Sequence, residues 1–241
     1  MKLFLLVFFS SIQLINIQLS KENSRFIKKN IHSAWDIQLK KFVSNEGKVN
    51  YKDWKNEMAG LESYINNLKR FIPNQKWSKN EILSYWINAY NALTINLILK
   101  NYPIKSIKNI EKPWDKKIFK LNNISYSLND IEHKILRKMD EPRIHFAINC
   151  ASLSCPKLLN QAFTSNRLEN QLKNVTEHFI NNQEKNKITS EVAKISKIFK
   201  WFSSDFGSRK ELIDFINMHS KLIINNSTKI YFLSYDWSLN E

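Results

Sequence analysis

"WSKNEILSYWINAYNALTINLILKNYP", residues 77–103, is the stretch on which the fold turns. Ser78 and Glu81 have the spacing of a capping box and Pro103 stands just past the far end, so the stretch predicts one long helix. It is apolar nearly all round, which places it at the centre of the molecule with neighbours on every side. Ser84, Asn88 and Asn91 nevertheless share one stripe, being four and three residues apart. Buried amides need partners. Two readings stay open: the amides bond to neighbouring backbone, or the stripe faces a pocket.

On the N-terminal side, Ile27, Ile31, Trp35, Leu39 and Phe42 recur every three or four residues and predict a helix. After the turn "NEGKVN", Trp54, Met58, Leu61, Ile65 and Leu68 repeat the pattern until Pro73 breaks it, and the two helices are expected to pack together. On the C-terminal side, "IFKLNNISYSL" reads as a hairpin about Asn122-Asn123. Ser127 and Asp130 then have capping-box spacing ahead of a helix through "IEHKILRKM". Residues 143–149 read as a strand, residues 166–180 as a helix through Leu168, Leu172, Val175 and Phe179, and "KITSEVAKISKIF" as one or two strands. Ser208 and Glu211 cap a last helix, and "KIYFLSYDWSLN" alternates like a strand. The expected class is α+β: a single domain with several helices, a long central apolar helix and a small mixed or antiparallel sheet.

The 241 residues are 43% hydrophobic, with three glycines, five prolines, seven tryptophans and fifteen phenylalanines, which excludes collagen-like and disordered classes. Residues 1–20 carry Lys2 and a short apolar run from Leu3 to Phe9, the pattern of a signal peptide, so an exported protein, periplasmic or extracellular, is expected with 21–241 as its globular domain. The formal charge of +15 loses only Lys2 with that segment. Such a field attracts polyanions or an anionic component of the cell envelope. No specific nucleic-acid motif accompanies it. An AT-rich genome, giving many lysines, asparagines and isoleucines together, would produce the same charge.

Taken together, "SYWINAYNALTINLIL", "SLNDIEHKILR", "PRIHFAINCASLSCP", "SKIFKWFSSDF" and "YDWSLN" resemble the domain of unknown function 547 family, in the same order and over roughly Val49 to Asn240. The resemblance implies a fold and a set of residues but no established reaction. Asn88, Asn91, Glu132, His133, Arg143, His145, Cys150, Cys155, Lys197, Trp201, Asp205 and Asp236 stand at the matching positions. Asn50 in "VNY" departs from the pattern, where an aspartate is expected.

"IHFAINCASLSCP", residues 144–156, holds most of the chemistry. A cysteine nucleophile needs a base or positive neighbour, and the base needs a group that orients it. Cys150 as nucleophile, His145 as base, and Asp236 or Asn91 orienting the ring satisfy that need; Asp205 or Asn88 could also stand behind the histidine. Cys150 is preferred because a turn at the end of a strand exposes it, whereas Cys155 is held beside Pro156. Three other readings compete: a Cys150–Cys155 disulfide as exported compartments favour, a pair of buried thiols, or zinc on His145, Cys150 and Cys155, which lacks a fourth ligand at a familiar spacing. The residues therefore leave two function classes open. One is a ligand-binding or envelope-associated module whose binding residues are Asn88, Glu132, Arg143, Cys155, Lys197, Trp201 and Asp205; the other is a cysteine-dependent hydrolase or acyl transferase. Neither a cofactor nor a resident metal is implied.

Overall fold

The computed structural model describes residues 31–241, so the signal-peptide expectation and Ile27 lie outside the described residues. Helices α1 (Ser33–Phe42), α2 (Tyr51–Asn56) and α3 (Ala59–Arg70) open the fold. The periodicity from Trp54 to Leu68 predicts one helix; the chain instead breaks at Glu57 and Met58, and the pieces pack separately. Trp54 of α2 and Tyr64 of α3 both stack on Trp35 of α1, at 5.7 and 5.6 Å between ring centroids. Aromatic burial on two sides of one tryptophan outweighs helix continuity. Asn50 caps α2, its side chain accepting the Asp53 amide at 3.1 Å, a role that asparagine and aspartate fill about equally well.

Helix α4 (Lys79–Asn101) starts at the complete capping box of Ser78 and Glu81, and every residue from Leu83 to Leu99 is buried. It packs against α2 and α3 on one side and the segment 130–139 on another. Strands β1 (Phe119–Leu121) and β2 (Ile124–Tyr126) form the expected hairpin, with Asn122 at φ 51°. The Ser127 and Asp130 box forms too, but it opens a π-helical stretch, Asp130–Ile135, running into a 3₁₀ turn, Leu136–Met139, where an α-helix is expected.

The second departure is residues 143–149. Instead of a strand, Pro142–Phe146 is a 3₁₀ helix, with Pro142 in its first turn and the Glu141 carboxylate accepting the Arg143 amide. Proline presets the helical φ and the acid satisfies a free amide at the N-terminus, so local chemistry favours the turn. Burial completes it: Phe146 meets Phe179, Phe199, Phe206 and Phe215 within 6.1 Å. The alternating faces of a strand do not exist here, and Ile144 to Asn149 are all buried.

Helix α5 (Leu168–Ile180) leads to a three-stranded mixed sheet: β3 (Lys187–Ile188) antiparallel to β4 (Val192–Ile195), and β4 parallel to β5 (Lys229–Phe232). Between β4 and β5 come α6 (Ile198–Trp201), α7 (Ser203–Phe206) and α8 (Arg209–His219), the last under the expected Ser208 and Glu211 box. The architecture is α+β. Beyond β5 the chain runs back along 152–154, Leu153 and Ser154 donating their amides to Ser238 and Asp236 carbonyls. That return sets the last wall of the site.

Candidate functional site

A cavity of about 220 Å³ opens between the 130–139 turns, the 145–156 loop, α6 and the C-terminal segment. His145 forms its polar centre. Its Nε2 lies 2.8 Å from Asp205 Oδ2, and the same carboxylate takes both Nε (2.6 Å) and Nη2 (2.6 Å) of Arg137. Burial works against the Asp205 anion, but hydrogen bonds from Arg137, His145 and Ser204 hold it well below the usual carboxylate range. An ionised carboxylate only accepts, so Nε2 carries the ring proton and Nδ1 keeps its lone pair. Nδ1 is buried with no partner. Burial also pulls His145 down to about pKa 4, against the pull of Asp205, and the ring lies 4.0 Å from that of Phe202. It is a neutral, oriented base.

Glu132 comes from the π-helical stretch and accepts a hydrogen bond from Tyr90 on α4 at 3.1 Å. Burial raises it to about pKa 7, so it exchanges a proton near neutral pH. His133, the next residue, takes Nη1 of Arg137 at 2.8 Å. A π-turn in place of an α-helix carries Glu132 and His133 on the cavity wall, with Arg137 in the 3₁₀ turn after it bonded to His133; such distortions recur at functional sites.

Both cysteines are free thiols facing this cavity. Ala151 at φ 59° curls the loop, so the Cys150 amide donates to Cys155 Sγ at 2.9 Å. Cys150 Sγ meets Ser152 Oγ at 3.1 Å and Tyr235 Oη at 3.3 Å. The hydrogen bond to Cys155 and burial both push the Cys150 thiol up. Burial opposes ionisation of Cys155 as well, yet donors from the Cys150 thiol, Tyr235, the Cys150 amide and Ser152 outweigh it and pull Cys155 down. Of the two thiols, Cys155 is the more acidic.

Trp201, Tyr235 and Trp237 form the outer wall, with centroids 4.6 to 5.7 Å apart, and Trp114 stands 5.6 Å from Trp237. Among the described residues no three His, Cys, Asp or Glu side chains are grouped to hold a metal ion. No helix among them is long and apolar enough to cross a membrane.

The structure brings Glu132, His145, Cys150, Cys155 and Trp201 to one cavity, with Asp205 directly behind the histidine. Asp236 and Asn91 do not orient the ring. Asp236 is exposed and accepts the Ser238 amide, while Asn91 donates to the Ala147 carbonyl at 3.0 Å and accepts the Asn149 amide at 2.8 Å. Asn88 clamps Phe163 in the same manner, through both its carbonyl and its amide. Both amides thus follow the backbone-partner reading. Arg143 pairs with Glu141 and Glu169, and Lys197 precedes α6; neither lines the cavity. Among the described residues no hydrogen bond joins His145 to either thiol. Sequence reasoning passed over Tyr90, Trp114, Tyr235 and Trp237 as wall residues, although Tyr235 and Trp237 lie in the quoted "YDWSLN" block.

Residues 74–180 match the family model described as "Protein of unknown function, DUF547". This segment belongs to the DUF547 family. The DUF547 match contains α4, Glu132, His145 and both cysteines, whereas Asp205, Trp201, Tyr235 and Trp237 come from beyond it. Comparisons with the curated proteins and with solved structures gave no match.

Proposed function

We propose that the cavity binds a small organic ligand with an apolar body and one polar group. Its size and its wall of Trp114, Trp201, Tyr235 and Trp237 suit an apolar body, and the Glu132 carboxyl group supplies a hydrogen-bonding partner for the polar group. The observation that carries this reading is the joining of an aromatic wall and the buried Glu132 carboxyl group, which exchanges its proton near neutral pH, in one cavity beside a histidine fixed through Nε2 by Asp205. A ligand hydroxyl, amide or carboxyl group suits the Glu132 carboxyl group.

The domain is further proposed to be an exported, envelope-associated module, on the basis of the apolar run in residues 1–20 and the basic charge, with an anionic envelope component or other polyanion as its partner. A cysteine-dependent hydrolase or acyl transferase is a second reading. It is favoured by the presence of a neutral histidine and two thiols in one cavity, but the raised Cys150 thiol is the poorer nucleophile of the two.

Tryptophan fluorescence tests the binding reading, because three of the wall residues are fluorophores. Titration with a panel of small aromatic and aliphatic acids, amides and alcohols is expected to yield at least one saturable signal change, abolished in Trp201→Ala. Uniformly linear responses across the panel, identical in the variant, would count against a ligand site.

A further inference from the structure

We propose that Cys155 is the acyl-accepting nucleophile of this cavity and that Cys150 is the positioning residue that holds it. The proposal rests on the ligand-site reading above and adds covalent chemistry to it.

The loop is built around the Cys155 sulfur. Its own amide is tied to the Ser152 carbonyl at 3.0 Å, Pro156 comes next in the chain, and Asn149 Nδ2 holds the Pro156 carbonyl at 2.7 Å. The left-handed turn at Ala151, stabilised by Asn149 Oδ1 on the Ala151 amide at 2.7 Å, aims the Cys150 amide at that sulfur. Only 6% of Cys155 is exposed, and it lines the cavity, so a reagent must enter the ligand site to reach it. Cys150 is the more accessible residue, and its thiol meets Ser152 and Tyr235, but the backbone amide donor of the loop goes to Cys155. His145, 3% exposed, lines the same cavity, and its Nδ1 is buried without a partner. The greater acidity of Cys155 agrees with this geometry.

The substrate class is an ester or thioester small enough for the cavity. The Cys155 sulfur lone pair attacks the acyl carbon, the S–C bond forms, and the bond from that carbon to the leaving oxygen or sulfur breaks. The leaving group departs as the free alcohol or thiol, taking up the proton that Cys155 gave up. S-acyl-Cys155 remains, and no oxidant or reductant takes part.

The test uses the full chain, reduced and then freed of reductant, treated with p-nitrophenyl acetate and read by intact and peptide mass. One acetyl group per chain on the Cys155 peptide is expected, with none on Cys155→Ser. Cys150→Ala keeps the backbone amide but has no side-chain donor, so its acylation persists, slowed roughly tenfold and with its pH midpoint moved upward. Should Cys155→Ser fail to fold, stepwise alkylation of the wild-type protein with iodoacetamide decides instead, the first-modified cysteine being expected to be Cys155. Acetyl on Cys150, first alkylation at Cys150, or no acylation with both thiols free would overturn the proposal. A saturable tryptophan response to non-electrophilic ligands is independent of thiol chemistry, so failure here is distinguishable from failure of the ligand site itself.

Discussion

Asp205 Oδ2 sits 2.8 Å from His145 Nε2 while both oxygens of the same carboxylate are bridged by Arg137. One acid thereby fixes a base from a 3₁₀ turn to an arginine from the segment before it. Asp205→Asn removes the charge that supports His145 against burial, so the ring should titrate below its present value of about 4. Arg137 also loses its ion pair at a site where both side chains are less than a quarter exposed, and roughly 2 kcal/mol of stability should go with it. Imidazole proton shifts and thermal melts measure the two effects.

Asp236→Ala is the contrasting variant. The side chain is exposed and its hydrogen bonds are local, to the amide and hydroxyl of Ser238 two residues on, so the cost should stay below about 1 kcal/mol. The His145 titration curve should superimpose on that of the wild type; displacement of that curve would contradict the assignment of Asp205 as the orienting acid.

Glu132 and the buried histidines give stability opposite pH dependences. An unfolded glutamate loses its proton near 4.5 and folded Glu132 near 7, so the folded chain holds the extra proton in between and this contribution is lost as pH rises through 7. Glu132→Gln retains an acceptor for Tyr90 without the buried charge. The variant should match wild type near pH 5 and exceed it by up to about 3 kcal/mol near pH 8, as read by denaturant unfolding.

His32 and His145 act in the other direction. Burial pushes His32 down to about 3, where its Nδ1 meets Tyr64 Oη at 2.7 Å, and His145 down to about 4. Their unfolded values are 6.5, so below that pH the unfolded chain binds more protons and stability falls as the solution is acidified, levelling off only below the folded values. Melting temperatures of Glu132→Gln between about pH 7 and pH 4 read this loss together with that of His133, His178 and His219, which burial also pulls down; a flat profile would contradict it.

The basic charge predicts retention on heparin that weakens steadily with added salt, since exposed charges are screened within about 8 Å at physiological ionic strength. Elution together with a neutral protein of similar size at every salt concentration would leave genome composition as the source of the lysines.

Features that depend on neighbours along the chain were legible in the sequence. The α4 boundaries came from Ser78, Glu81 and the run to Asn101, the hairpin from Asn122-Asn123, and the last helix from Ser208 and Glu211, because capping and turn chemistry act over a few residues. The sequence also singled out 144–156 as the chemical segment, and Glu132, His145, Cys150, Cys155 and Trp201 do meet at one cavity. Which acid faces the histidine was settled by tertiary packing. Asp205 and Asp236 lie 60 and 91 residues from His145, and only the packing of α6 and α7 beneath Phe146 selects the first. Packing likewise made residues 143–149 a 3₁₀ turn, since an apolar run of that length reads equally well as a buried strand until Phe146 finds its aromatic neighbours. The choice between the thiols was tertiary too. Sequence order favoured Cys150 at the end of a strand, but acidity depends on which sulfur receives the donors, and the fold aims the Cys150 amide at Cys155.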